Sequence, residues 1–236
     1  TSSIPDKRMA DLPPTSITAD LLALLEQGKR SDVTFIVQGE TIKAHSHILS
    51  ARSEIFDAHL HGGMQESFSK TVTVDDCDPD VFRALLRFLY TDDFSQVEEV
   101  KIKSSSRGSS SGGSEVQASK LPFLQDLLSV SHKYQISRLQ LWCEQQLCDQ
   151  LMEKSVCSVL VQAHLCEAKQ LEKACLKFVK SHMEALLPTA EFAQLTADWP
   201  EVLLKISLFG FGLADSRSAS TIMSTQQSLL RKRKRE

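Results

Sequence analysis

Two pairs of histidines, each with one residue between its members, are the first feature of this chain that suggests chemistry. They are His45 with His47 and His59 with His61, and imidazole is a common metal ligand. This spacing matches no closed tetrahedral zinc site, and the six cysteines contain no C-x-x-C pair that would complete one. The sequence therefore predicts no metal site, and we expect no cofactor.

A histidine and a cysteine two residues apart, His164 and Cys166, have the residue types of a base and its nucleophile. Both fall at the turn between two apolar helical segments, where a helix-end histidine and a packed thiol are the ordinary structural interpretation. No phosphate-binding glycine loop and no nucleophile motif occurs in the sequence. We therefore expect a protein that is not an enzyme.

Composition excludes further classes of function. The chain has 236 residues, 42% of them hydrophobic, which is sufficient for a buried core. Its net charge of −3 argues against a general nucleic-acid binder, because phosphate contacts need a clustered basic surface. No apolar run has the length of a membrane span and no signal-peptide pattern opens the chain. Cysteines within apolar helical patterns favour a reduced, intracellular protein.

The elements that would position any site begin with a hairpin. Residues Val33–Val37 are β-branched or aromatic, and Gln38-Gly39-Glu40 supplies a turn before the extended residues Thr41–Lys43. From His47 to Leu60 the apolar residues fall at helical spacings. Later, Asp78-Pro79 has the residue types that begin a helix.

Several motifs in this region resemble the signature of the BTB/POZ domain family, and they occur in order and at the right spacing. They are Ser31-Asp32-Val33, Ala44-His45, Leu49-x-Ala51-Arg52-Ser53-x-x-Phe56 and Phe82-x-x-Leu85-Leu86-x-Phe88-Leu89-Tyr90-Thr91. The sequence is most similar to speckle-type POZ-like proteins, which are substrate adaptors of cullin-3 ubiquitin ligases. This resemblance extends from about Thr18 to about Leu213.

The resemblance implies an α+β fold, with a small sheet covered by helices, followed by an all-helical region similar to the BACK region. We expect a flexible leader at 1–15, the BTB/POZ domain at 16–152 and the helical extension at 153–213. A Ser/Gly-rich insertion is expected at 103–119, and residues 214–236 form a polar tail. The relatives carry a separate substrate-binding MATH domain, for which residues 1–15 are too few. We expect such a domain either upstream of Thr1 or on a partner protein.

A short leucine-rich helix near the start of the chain is the predicted dimer contact. Over Ile17 to Gln27, apolar side chains fall on one side of a helix: Ile17, Leu21, Leu24 and Leu25. They could pack on their own domain. The resemblance instead implies that they pack across a two-fold axis in a homodimer, which suits one self-complementary apolar patch.

The tripeptide Met64-Gln65-Glu66 matches the loop of the form hydrophobic-x-Glu that cullin-3-binding members carry at this distance from Phe56. A methionine can fill a shallow apolar pocket, and a glutamate can accept a charge-assisted hydrogen bond. The resemblance therefore implies that Met64 and Glu66 contact cullin-3, and we add Leu60 to this surface. The alternative is a solvated loop without a partner.

Two polar residues beside the hairpin have structural interpretations. We expect Asp32 to need a partner, with Arg52 or a backbone amide as the candidate, and His45 to be a satisfied core histidine. Ser46 stands where the family usually has Lys or Arg. In transcription-repressor members that basic residue belongs to a charged pocket, so its absence weakens a co-repressor function.

The chain ends in a compact basic run, Arg231, Lys232, Arg233, Lys234 and Arg235, which is typical of a nuclear localisation signal. It places the protein in the nucleus and allows a cytoplasmic population. The predicted function is a homodimeric adaptor that binds cullin-3 and recruits a protein substrate whose identity the sequence does not reveal. The alternative is a nuclear scaffold or transcriptional regulator that acts without cullin. No membrane and no specific nucleic acid is expected as a partner.

Overall fold

A computed structural model describes residues 16–62, 69–106 and 120–212 of the chain. These residues form one small sheet and a larger number of helices, which is the α+β class predicted from the sequence. The strands are β1 (Val33–Val37), β2 (Glu40–Ala44) and β3 (Thr71–Val74). The helices of the first half are α1 (Ile17–Gln27), α2 (Ser46–Arg52), α3 (Glu54–His61), α4 (Pro79–Thr91) and α5 (Phe94–Ser106). Those of the second half are α6 (Lys120–Lys133), α7 (Ser137–Cys148), α8 (Val156–Leu165), α9 (Lys169–Ser181), α10 (Met183–Leu186), α11 (Ala190–Asp198) and α12 (Pro200–Gly210).

The sheet has the strand order β2-β1-β3, in which β1 pairs antiparallel with β2 and parallel with β3. Val37 pairs with Glu40, so the hairpin turn consists of Gln38 and Gly39 alone, and Glu40 belongs to β2 rather than to the predicted turn. The φ angles of these two turn residues are 46° and 85°, as the tight hairpin turn that matches strand twist requires.

Four aromatic rings from distant parts of the chain form the centre of the core. The ring of Phe35 on β1 lies 5.8 Å from that of Phe56 on α3 and 4.9 Å from that of Phe82 on α4. Tyr134, which follows α6, stacks on Phe56 at 4.1 Å and meets Phe82 edge-on at 6.2 Å. All four residues are at most 2% exposed. The sheet, α3, α4 and α6 are therefore joined at one place.

A buried serine reinforces this junction. The Ser53 hydroxyl accepts a hydrogen bond from the Phe56 amide (3.2 Å), which caps the start of α3. The same hydroxyl donates to the backbone carbonyl of Tyr134 at 2.7 Å. One side chain thus begins a helix and holds it against a residue 81 positions later in the chain.

Helix α4 begins and ends with aspartates. As predicted, it starts at Asp78-Pro79, where the Asp78 carboxylate accepts a hydrogen bond from the Asp80 amide at 2.8 Å. Asp92 follows its last residue, Thr91, and has a left-handed φ of 56°. The Asp92 carboxylate forms ion pairs with Arg52 of α2, at 2.6 Å, and with Arg138 of α7. The end of α4 therefore links α2 to α7.

The predicted Ser/Gly-rich insertion at 103–119 begins later in the structure. Helix α5 continues through Ser106, so the first four residues of that range are helical. Residues 107–119 lie outside the described residues, and so do the predicted leader at 1–15 and the tail at 214–236.

The second half of the described chain is helical, as predicted, and shares a continuous core with the first half. Glu144 of α7 joins them: it is 4% exposed, and its carboxylate accepts hydrogen bonds from the amides of Gln170 and Leu171, each at 3.2 Å. These amides lie in the first turn of α9, where unpaired N–H groups and the helix dipole favour a carboxylate.

Replacing Phe56 with alanine should strongly destabilise the chain, because it removes a fully buried ring that contacts two others. We expect the free energy of unfolding to fall by about 3–5 kcal/mol, measured by urea denaturation followed by circular dichroism at one protein concentration. Leu187→Ala is the control, because Leu187 is 59% exposed and its loss should change stability by less than about 0.5 kcal/mol. Equal effects of the two substitutions would contradict a central role for the aromatic cluster.

Candidate protein-interaction surface

The first helix presents apolar side chains that its own domain does not cover. No residue of α1 is buried, and Ile17 is 68% exposed. Leu21 and Leu25 are half-buried and pack partly against the core, and Leu24 is also only half-buried. An ion pair between Glu26 and Arg87 fastens α1 to α4. The helix is thus attached along one side, while much of its predicted dimer contact remains open to solvent.

Of the three predicted cullin-3 contacts, the structure describes only Leu60. Met64 and Glu66 lie outside the described residues. Leu60 is fully buried, at 0% exposure, within the hydrophobic core. Its assignment to a partner-facing surface was therefore wrong, because helix α3 turns this side chain inward with Phe56. We assign Leu60 to the core.

Lys70 joins the end of α3 to the start of β3, which precede and follow residues 63–68 in the chain. Its ammonium group donates a hydrogen bond to the backbone carbonyl of Leu60 at the end of α3, at 2.8 Å. Lys70 precedes β3 and has a left-handed φ of 53°. Sequence reasoning missed this contact, because an isolated lysine before an alternating strand carries no pattern that predicts it.

Asp32 finds its partner in Ser46. The carboxylate accepts hydrogen bonds from the Ser46 amide at 2.8 Å and from the Ser46 hydroxyl at 2.5 Å. Of the two partners predicted for Asp32, the backbone amide is correct and Arg52 is not, since Arg52 pairs with Asp92. Partial burial by itself would raise the pKa of Asp32, but the hydrogen bonds from Ser46 outweigh it and hold the pKa below its ordinary value.

His45 has its hydrogen-bond partners, as predicted, but it is half-buried rather than a core residue. Its Nε2 atom lies 2.7 Å from the carbonyl oxygen of Lys29, which can only accept, so Nε2 carries the proton. Its Nδ1 atom then accepts from the hydroxyl of Tyr90 at 2.7 Å, and that hydroxyl accepts from the His45 amide at 2.8 Å. Burial raises the pKa of Tyr90 to about 12. Both ring nitrogens of His45 are therefore engaged in structural hydrogen bonds.

At the turn between α8 and α9, His164 and Cys166 are a helix-end histidine and a packed thiol, as the sequence predicted. Nδ1 of His164 lies 2.9 Å from the ammonium of Lys205 and 3.5 Å from the carboxylate of Glu172. Cys166 is 3% exposed, and its Sγ atom lies 3.9 Å from the Ser129 hydroxyl. The histidine is therefore held by charged neighbours and the cysteine by packing.

The thiols share an environment that opposes nucleophilic chemistry. All six cysteines are free, and five of them are buried. Burial raises the pKa of Cys77 and Cys175 to about 12, and it also raises that of Cys148, Cys157 and Cys166. The thiolate is the reactive form, so these side chains act as small apolar groups in the core.

The described parts of the chain also lack the features of a metal centre and of a membrane span. No group of three or more histidine, cysteine or acidic side chains is arranged to hold a metal ion there. None of these helices combines the length and the apolar character needed to cross a bilayer. The described surface does include the partly covered apolar face of α1, which suits association with another protein.

Comparison with known proteins agrees with this interpretation. Residues 21–104 match the family model of the BTB/POZ domain. The chain is 32% identical over 211 residues to the BTB/POZ and MATH domain-containing protein 3 of Arabidopsis thaliana, covering 89% of this chain and 49% of that protein. It is 34% identical over 193 residues to the BTB/POZ and MATH domain-containing protein 4 of the same plant, covering 81% and 39%. The chain thus spans about half the length of these relatives or less.

Among solved structures, it is similar to the BTB domain of zebrafish PATZ1, with 21% identity, coverage of 58% of this chain and 91% of that chain, and a TM-score of 0.39.

Removal of the Ser46 hydroxyl should give a loss of stability that depends on pH. The lowered pKa of Asp32 means that its hydrogen bonds stabilise the fold fully above the ordinary value of 3.8 and cease to do so as the pH falls through the lower, folded value. We expect Ser46→Ala to reduce the free energy of unfolding by about 1 kcal/mol at pH 7, a modest effect because Asp32 is exposed. The difference from the parent should shrink below pH 3.8, as measured by urea denaturation across the pH range. Ser137→Ala, at an exposed position on α7, should show no such dependence, and a difference that is constant with pH would contradict the role of Asp32.

Proposed function

Because the chain contains a BTB/POZ domain, we propose that it is a non-catalytic adaptor, which homodimerises, binds cullin-3 and recruits a protein substrate to a ubiquitin ligase. BTB domains generally dimerise and bind other proteins. The observation that carries the proposal is the incompletely covered apolar face of α1, where Ile17 is exposed and Leu24 is only half-buried, because apolar surface gains free energy when a second surface covers it.

The dimer contact consists of the side chains that lie along one side of α1: Ile17, Leu21, Leu24 and Leu25. A two-fold axis brings this face against its own copy, so one patch provides both halves of the interface. Attachment of α1 to α4 through Glu26 and Arg87 orients the patch before association. Pre-orientation of this kind reduces the loss of conformational freedom on binding.

The helical region beyond the BTB domain extends the surface available to cullin-3. Similarity to the plant relatives runs over 211 residues and so continues past the segment at 21–104 that matches the family model. We propose that residues 153–213 form a BACK-like extension of a BTB domain at 16–152. The continuous core and the contact of Glu144 with the first turn of α9 favour a fixed arrangement of the two parts.

Met64 and Glu66 are the proposed cullin-3 contacts within this platform. A methionine side chain is flexible enough to fill a shallow apolar pocket. A glutamate can accept a charge-assisted hydrogen bond that fixes the register of the complex. The basic run Arg231–Arg235 is the proposed nuclear localisation signal, so the ligase would assemble in the nucleus.

A charged substitution on α1 should separate the dimer. We expect Leu24→Asp, alone or together with Leu21→Asp, to convert the dimer to a monomer at micromolar concentration, because each unpaired carboxylate would be buried in the interface. Sedimentation equilibrium gives the molar mass directly. Leu187→Asp introduces the same change at an exposed position on the helical extension and should leave the dimer intact. A parent chain that is monomeric, or a variant that remains dimeric, would show that α1 is not the interface.

Loss of the two loop side chains should weaken cullin-3 binding. We expect calorimetry with the cullin-3 N-terminal domain to show a loss of about 1–3 kcal/mol for each of Met64→Ala and Glu66→Lys. The matched controls are Leu187→Ala and Glu184→Lys, which change an apolar and an acidic residue at exposed positions.

Absence of cullin-3 binding by a folded, dimeric parent chain would overturn the adaptor function. It would leave the nuclear scaffold as the function to test, by repression of a reporter gene. Equal losses for loop and control variants would retain cullin-3 as the partner but exclude the loop as its contact.

A further inference from the structure

The strand β2 forms an open edge of the sheet. It pairs with β1 on one side, and the two-residue turn makes Val37–Glu40, Phe35–Ile42 and Val33–Ala44 the hydrogen-bonded pairs of the hairpin. The Thr34 amide confirms this alternation, because it donates to the carbonyl of Lys70 on the opposite side of β1. The backbone groups of Thr41 and Lys43 therefore point away from the sheet.

These outward groups are an unused set of donors and acceptors. Within the described parts of the chain, no group hydrogen-bonds to the N–H or C=O of Thr41 or Lys43. Both residues are exposed. Their spacing of two residues is that of one side of a β-ladder, which only an extended backbone can match.

A groove runs along this edge. It has a volume of about 490 Å³ and lies between the end of α1, strand β2 and helix α4. Its apolar lining consists of Ile42 and Leu86, which are largely covered, and of Leu25, which also belongs to the proposed dimer contact. Ligand sites in proteins generally have volumes of about 300–1,000 Å³, so the groove is large enough for several side chains of a bound segment.

In the part of the chain that the structure describes, two arginines beside the groove already form ion pairs, whereas one lysine at its edge does not. Arg83 is held by Glu40 and, at 3.0 Å, by Asp80. Arg87 is held by Glu26 of α1 and lies 3.5 Å from Glu99. Lys43, by contrast, has no ion-pair partner among the residues that the structure describes. An incoming segment would meet one available positive charge at the strand edge.

We infer that the edge of β2 binds an extended segment of a partner protein, which adds to the sheet as an antiparallel fourth strand. Residues of the segment opposite Thr41 and Lys43 would each exchange two backbone hydrogen bonds with the edge. The residue opposite Lys43 shares its face and favours an acidic side chain. The residue between these two points to the other face, toward Ile42 and the groove, and favours an apolar side chain.

Two features of β2 also limit unwanted pairing, since the strand is short and carries a lysine at its edge. A strand protected only against aggregation would bind no particular sequence. The groove supplies what selective binding needs, because it receives the side chain that alternates with the hydrogen-bonded positions. This site is separate from the proposed cullin-3 contacts and does not depend on them.

The test begins with selection of random eight-residue peptides displayed on phage against the full chain. Peptides that also bind Thr41→Pro are removed, because this substitution deletes an outward N–H while leaving every β1–β2 hydrogen bond in place. Enriched peptides should carry an acidic residue next to an apolar one. A labelled enriched peptide is then measured by fluorescence anisotropy, beside a copy that is N-methylated at alternate residues and keeps all side chains.

We expect Thr41→Pro and N-methylation each to weaken binding by about fivefold or more, because each removes hydrogen bonds of the added strand. Lys43→Glu should weaken binding of the acidic peptide by about five- to tenfold. A peptide with lysine in place of the acidic residue should bind the Lys43→Glu variant as the acidic peptide binds the parent. Lys180→Glu, an exposed change on α9, should have no effect. Lys43→Glu leaves the backbone unchanged, so it tests the site even if Thr41→Pro does not fold. No enriched peptide, or peptides that are indifferent to N-methylation and to Lys43→Glu, would overturn the inference.

Discussion

The stacking of Tyr134 on Phe56 is the contact on which the rest of the structure depends. These rings lie 4.1 Å apart and nearly parallel, and Phe35 and Phe82 close around them from the sheet and from α4. Each ring comes from a different element, so no single element can bury its ring alone. Burial of large apolar side chains is the dominant stabilising force in a core of this kind. The hydrogen bond from Ser53 to the Tyr134 carbonyl fixes the same junction through the backbone.

The position of the helical extension follows from this junction. Tyr134 begins the turn after α6, and α7 begins at Ser137 in a direction that this turn sets. Glu144 on α7 then meets the first turn of α9 and accepts two of its amides. A buried carboxylate is tolerated there because both amides and the helix dipole compensate for its charge. The two halves of the described chain are thus joined by apolar packing and by one charged contact.

The polar side chains that first suggested chemistry serve the fold. His45 is occupied at both ring nitrogens, and Asp32 is occupied by the amide and hydroxyl of Ser46. Burial raises the pKa values of five thiols, those of Cys77, Cys148, Cys157, Cys166 and Cys175. Within the described chain, the apolar face of α1 is only partly covered and the outer backbone edge of β2 has no partner. Both are suited to bind protein, which agrees with the presence of a BTB/POZ domain.

The sequence by itself determined the elements and the fold class, because these depend on patterns within a few neighbouring residues. The β-branched and aromatic residues Val33–Val37 predicted a strand, Asp78-Pro79 predicted the start of α4, and the ordered motifs predicted a BTB/POZ domain. Only the tertiary structure decided that Leu60 is a core residue, that Ser46 rather than Arg52 is the partner of Asp32, and that Glu144 joins the two halves. Those outcomes depend on which distant residues meet when the core closes. The same helical spacing is compatible with a side chain that faces inward or outward, so local patterns cannot distinguish them.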